Sequence, residues 1–232
     1  MTFEVVPTSE YTDRAVRFLA DRISAREKGR PYHIFLSGGS TPKPIYEGLA
    51  KAGLDWSEVH LWWGDERYVP HDHSDSNTRM VREALLDPVG FPSHQIHPWP
   101  ILAYPELSAE TYDREFRSVF ERGGQTVDLQ LLGMGDDGHT ASLFPSSPAL
   151  EETKAMAVAN FVSTAAEKTR LTLTFPALAL SREVVFLIKG ANKAEPLREV
   201  VEEGRHPASR VKGKESTVFF LDQEAAANLS TR

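Results

Sequence analysis

Three short apolar runs, each broken off by a glycine-bearing polar loop, set the tightest limit on how this chain can fold. His33-Ile34-Phe35-Leu36 runs into Ser37-Gly38-Gly39-Ser40-Thr41-Pro42, and Val59-His60-Leu61-Trp62-Trp63 into Gly64-Asp65-Glu66-Arg67. Val127-Asp128-Leu129-Gln130-Leu131-Leu132 runs into Gly133-Met134-Gly135-Asp136-Asp137-Gly138-His139. Short runs ending in turn chemistry predict buried strands. Helical spacing fills the intervals. Ser9 is the expected N-cap of a first helix whose Tyr11, Ala15, Phe18, Leu19 and Ile23 share one face, and Ile45, Tyr46 and Leu49 carry a second. Further helices are predicted over Asn77 to Leu86 and Glu106 to Glu121. Leu171, Leu173 and Phe175 alternate with threonines, Glu183 to Ile188 is strand-like, and Thr217 to Leu221 closes the set.

Strands alternating with helices predict an α/β fold: one domain over residues 1–232, with a largely parallel, Rossmann-like open sheet flanked by helices. The proline-rich stretch Pro88 to Pro105 reads as a long connection, and a small accessory lobe stays open as an alternative. At 232 residues the chain has ample material for a large core, since 41% of it is hydrophobic. The apolar run Val184 to Ile188 falls far short of the roughly 20 residues a membrane span needs, so no membrane association is expected. Met1 to Pro7 lacks a basic segment followed by an apolar one, which makes the cytoplasm the simplest location.

Charge and cysteine content narrow the function. A net charge of −7 repels nucleic acid, so an anionic ligand has to be caught by a local basic pocket. With no cysteine, thiolate metal sites and a cysteine nucleophile are excluded. His71-Asp72-His73 has metal-compatible spacing but no further ligand pattern, and it reads as a solvated loop. No metal or other cofactor is expected, and no Gly-x-Ser-x-Gly elbow supports a serine triad.

Ligands of open α/β sheets bind outside the carboxyl ends of the strands, where the polar loops lie. Gly39, Ser40 and Thr41 sit where a helix begins, and free N–H groups there would suit a phosphate. The same residues fit an ordinary strand-to-helix turn equally well, with Pro42 at the first helical position. Asp136, Asp137 and His139 place carboxylates beside an imidazole, as acid–base chemistry requires, or else form a solvated turn. Asp65 and Arg67 alone would read as a surface ion cluster. Arg170 and Lys193 become a basic pocket facing Gly39 to Thr41 if their strands align with the others.

Taken together, these segments resemble the glucosamine-6-phosphate isomerase/6-phosphogluconolactonase family. The likeness rests on Leu36 to Pro42, Trp63 to Arg67 with Ser76-Asn77, Gly133 to Pro145, Arg170 to Thr174, Gly190 to Lys193 and Pro207 to Val211, in that order along nearly the whole chain. The resemblance implies metal-independent hydrolysis of 6-phospho-D-glucono-1,5-lactone in the pentose phosphate pathway. It implies that the phosphate lies on Gly39, Ser40 and Thr41 with Arg170 and Lys193, and that His139 is the general base. Asp137 or Asp65 would orient the imidazole, and Arg67 would face the oxyanion. Deaminases of the family continue their Asp-Gly-His loop toward an Asn-Glu-Pro segment, whereas this chain continues Thr140-Ala141-Ser142-Leu143-Phe144-Pro145, which favours the lactonase. A deaminase and a sugar-phosphate binder without turnover are the competing readings. The expected partner is the phosphorylated lactone, with monomer and homodimer both open.

Overall fold

In the computed structural model, which describes residues 1–230, strands and helices alternate along much of the chain. The order is β1 (Thr2–Val6), α1 (Tyr11–Ser24), β2 (Tyr32–Leu36), α2 (Pro42–Lys51), β3 (Val59–Trp63), β4 (Asp65–Arg67), α3 (Asn77–Val81), α4 (Asp87–Val89) and β5 (Ile96–His97). After these come α5 (Pro105–Phe116), β6 (Val127–Leu132), β7 (Ala157–Phe161), β8 (Thr169–Leu173), α6 (Phe175–Leu178), β9 (Ser181–Ile188), α7 (Ala194–Glu202) and β10 (Ser216–Asp222). Seven strands form a sheet in the order β1-β10-β9-β6-β2-β3-β5, parallel at every pairing. The predicted α/β architecture with a largely parallel sheet is the one observed.

Every residue of β2 and of β6 is buried, as continuous rows covered on both faces should be. Buried Asp128 of β6 accepts two hydrogen bonds from the Arg30 guanidinium, at 2.7 and 3.1 Å, and one from the His33 amide at 3.0 Å. Helices stack apolar faces on the sheet: α1 contributes Tyr11, Ala15, Leu19 and Ile23, and α2 contributes Ile45, Tyr46 and Leu49. Pro42 stands at the start of α2, where its missing N–H costs nothing.

The order of strands fixes where a ligand can bind. From β2 the chain moves to β3 and β5 on one side, while from β6 it moves to β9 and β10 on the other. The crevice at this reversal is opened by the loops after β2 and β6. In register, Leu36 pairs with Trp63 and Leu132 with Phe186, so the loops leave the sheet along one rim.

Several expectations need correction. Arg170 does not lie on a strand of the parallel sheet: β8 is the centre of a separate antiparallel sheet, β4-β8-β7. Gly64 to Arg67 is only partly a loop, since Asp65 to Arg67 forms the edge strand β4 of that sheet. Phe175 does not continue the alternation but starts α6, where Pro176 favours a helix start. Ser9 is not the cap of α1, because a 3₁₀ turn over Thr8–Glu10 precedes the helix and makes Glu10 its flanking residue. The connection through Pro88 to Pro105 carries the two-residue edge strand β5, paired with β3. The long helices expected near 77–86 and 106–121 each widen into a π-type turn, over Arg82–Leu86 and Arg117–Arg122.

A buried histidine sets an acid limit on stability. His33 is 3% exposed and accepts a hydrogen bond from the Trp62 indole at 3.0 Å. Burial, then the neighbouring His60 and His97, lower its pKa from 6.5 to about 3. The folded form therefore resists a proton that the unfolded chain takes up, so stability is full above about pH 6.5 and is lost as pH falls toward 3. We expect this residue to remove about 2 kcal/mol between pH 7 and pH 5. Urea titrations of the parent and of His33→Gln check this: equal losses in both would refute the assignment.

Candidate active site

A cavity of about 610 Å³ opens at the reversal point. Gly39, Ser40, Thr41, Asp65, Arg67, His139, Arg170 and Lys193 all line it; Asp137 stands behind His139.

The loop after β6 builds the imidazole's setting from local bonds. Gly135 N–H donates to the His139 carbonyl at 2.9 Å and Gly138 N–H to the Gly135 carbonyl at 3.1 Å, which folds the segment back on itself. His139 then meets Asp137 twice: its backbone N–H lies 3.1 Å from Oδ1 and its Nδ1 2.6 Å from the same oxygen. Because a carboxylate only accepts, Nδ1 carries the proton and Nε2 keeps a lone pair. Burial pushes the Asp137 carboxyl up, but the imidazole and the His139 amide outweigh it and hold the pKa below the ordinary value. On its other face the imidazole stacks on Phe144, with ring centroids 3.8 Å apart. Gly135 has to lack a side chain, since a Cβ there would stand 2.1 Å from Nδ1 of His139.

Asp65, the alternative partner of the imidazole, is committed elsewhere. It accepts a 2.6 Å hydrogen bond from the Ser142 hydroxyl, and its carbonyl accepts one from Asn77 at 3.0 Å. These contacts pin the β6 loop to the antiparallel sheet. The neighbouring Glu66 is fully buried. It accepts from the amides of Arg67, Asn77 and Thr78 at 2.7 to 2.8 Å and from the Ser76 hydroxyl at 3.2 Å, so it anchors the start of α3. Burial raises its pKa while these donors pull it back.

The cations come from two sides of the reversal point. On the β3 side, Arg67 and Arg170 are cross-strand partners in the β4–β8 ladder. Arg170 is 9% exposed; burial first, and then the like charge of Arg67, lower its pKa. The Nε atoms of both are buried without a hydrogen-bond partner, although Arg67 Nη1 donates to the Asp75 carbonyl at 2.6 Å. A buried guanidinium beside a half-buried one makes an arrangement suited to an anion. On the β9 side, Lys193 is paired with Asp136, which also accepts from Asn192 at 2.9 Å. The hydrogen bond from Lys193, then that from Asn192, overcome burial and lower the Asp136 pKa. The turn carrying Gly39 to Thr41 lies between the two groups, at the start of α2.

Sequence reasoning missed Phe144, Ser142 and Asn192 as working parts of this site. They lie in or next to segments that carry the family resemblance, but nothing local marks a stacking or tethering role. Among the described residues, no group of three or more histidine, aspartate or glutamate side chains is placed to hold a metal ion, His71-Asp72-His73 included. No helix among them is long and apolar enough to cross a membrane.

A parallel α/β sheet with an imidazole–carboxylate pair and cations lining a cavity at its reversal point defines a broad class of α/β proteins with a ligand crevice at the strand ends. Comparison with known proteins narrows it. The family described as glucosamine-6-phosphate isomerases/6-phosphogluconolactonase matches residues 7–220, and the chain belongs to that family. A 6-phosphogluconolactonase from Synechocystis is 45% identical over 207 residues, covering 84% of each chain. Among solved structures, a 6-phosphogluconolactonase from Thermotoga maritima superposes with a TM-score of 0.85 at 34% identity, covering 95% of this chain and 99% of the other. One from Trypanosoma cruzi gives 0.87 at 30% identity, covering 99% and 97%.

Proposed function

We propose that this protein hydrolyses 6-phospho-D-glucono-1,5-lactone to 6-phosphogluconate, the lactone-opening step of the pentose phosphate pathway. The observation that carries the reading is an imidazole paired with a carboxylate, lining the same cavity as the buried Arg170 and its half-buried cross-strand partner Arg67. A relative named 6-phosphogluconolactonase at 45% identity supports it.

The substrate has negative charge at one end and, at the other, a carbonyl that becomes an oxyanion during reaction. The three cations lining the cavity, Arg67, Arg170 and Lys193, suffice to serve both charges. The phosphate rests on Gly39, Ser40 and Thr41, with Arg170 and Lys193 reaching in; for Lys193, the phosphate replaces or shares the Asp136 carboxylate. His139 Nε2 takes a proton from water as the water oxygen attacks the lactone carbonyl carbon. Asp137 stabilises the imidazolium that results, as the carboxylate of a catalytic triad does. Arg67 faces the tetrahedral oxyanion. Collapse then breaks the bond from carbon to ring oxygen, and that oxygen recovers the proton from His139. The products are an alcohol and a carboxylic acid, and the acid ionises in solution.

The test is proton release from freshly prepared lactone in weak buffer. Catalysed release above the spontaneous rate, with no ammonia from glucosamine 6-phosphate, is the expected pair of results. Release at the spontaneous rate, with saturable binding of 6-phosphogluconate, would replace the reading with that of a binding protein.

A further inference from the structure

We propose that His206, held by Glu199 of α7, is a positioning residue that supports the Asp137–His139 pair from beneath through Gly138. The proposal rests on the lactonase reading for its kinetic consequence, but its geometry is independent of it.

His206 occupies a backbone conformation that side chains avoid. Its φ of 68° and ψ of 159° fall in a region populated almost only by glycine, although the residue carries a Cβ and an imidazole. Such strain persists only where surrounding contacts impose it, and it concentrates at functional sites. Two direct contacts, one of them backed by a further ion pair, hold the residue here. Its Nε2 lies 2.6 Å from Glu199 Oε2, a short charge-assisted contact. Glu199 is itself paired with Arg205 at 3.2 Å. The Ser209 hydroxyl donates to the His206 carbonyl at 2.7 Å.

The side chain thus anchored closes on the catalytic loop. Gly138 has a φ of 72°, and a Cβ placed on it would stand 2.4 Å from Cβ and 2.5 Å from Cγ of His206. The Ala208 amide adds a 3.1 Å hydrogen bond to the Gly138 carbonyl. Gly138 is the one residue between Asp137 and His139, so whatever fixes its peptide fixes the angle at which carboxylate meets imidazole. Phe144 packs on the ring, and His206 packs on the loop at Gly138. Small displacements of a reacting group cost large factors in rate, which is why a strained support is worth keeping.

Substituting the strained residue separates support from stability. In His206→Gly the backbone strain disappears while the contact with Gly138 is lost. The melting temperature should equal or exceed that of the parent, kcat should fall about tenfold, and KM should change less than about twofold. His206→Gln, which keeps a donor toward Glu199, should recover most of the lost kcat. A third readout needs no turnover: the downfield proton resonance of His139 Nδ1–H should broaden or move upfield in His206→Gly. Unchanged kcat together with an unchanged resonance would overturn the proposal, and so would a lower melting temperature with kcat and KM both impaired. A parent protein with no lactonase activity but a resonance that responds to His206→Gly would sink the functional reading and leave the loop support standing.

Discussion

His139→Ala is expected to lower kcat by about 10³-fold while leaving a folded protein that still binds 6-phosphogluconate. The magnitude follows from what a positioned base contributes, roughly 10² to 10⁴. Binding should survive because the cations and the Gly39 to Thr41 turn are built without His139: Arg67 and Arg170 sit on β4 and β8, and Lys193 is tied to Asp136. The ring makes a hydrogen bond to Asp137 and lies on Phe144, and the backbone N–H keeps its own bond to Asp137 in the variant, so removing the ring leaves no orphaned buried donor. The check is steady-state lactone hydrolysis, corrected for the spontaneous rate, with product affinity measured by calorimetry. Full activity in the variant would remove His139 as the base, and loss of product binding would mean that the imidazole holds the ligand rather than activating water.

Arg170→Ala is expected to weaken 6-phosphogluconate by about 10- to 150-fold, the worth of a charged hydrogen bond of roughly 1.5–3 kcal/mol. The unphosphorylated lactone should lose far less. Stability should behave unusually. Removing a buried charge that has a partner normally destabilises, but Arg170 faces another guanidinium and its Nε is unpaired. Burial and Arg67 together outweigh the attraction of Asp65, Glu167 and Glu66 and lower its pKa, so taking the charge away is a net electrostatic relief and the melting temperature should hold or rise despite the lost packing. Equal losses for the phosphorylated and unphosphorylated ligands would refute the phosphate assignment. A steep fall in melting temperature would refute the repulsion argument.

Much of the fold was legible because its signals are local. Buried parallel strands demand unbroken apolar rows, and His33 to Leu36, Val59 to Trp63 and Val127 to Leu132 display them; amphipathic helices demand a 3.6-residue period, and Tyr11 to Ile23 displays it. The edge strand β1, the antiparallel sheet and the two-residue β5 were not legible. Short edge strands take their identity from a partner rather than from their own pattern, as Asp65 to Arg67 does from Thr172 to Arg170. The grouping of His139 with Asp137 could be read from a spacing of two. The commitment of Asp65 to Ser142 joins residues 77 positions apart, and no local pattern announces it.

Covalent neighbours alone specified the strand-and-helix alternation, the acidic surface, and the aspartate and histidine held two residues apart, because those properties depend on residue type and short-range geometry. Chain closure over long distances determined the rest: that two of the cavity's cations are guanidiniums paired on a second sheet, that Lys193 is matched by Asp136, and that His206, at a positive φ, packs against Gly138. Those outcomes come from burial, which brings distant side chains into a medium where like charges, unpaired donors and unfilled space are costly.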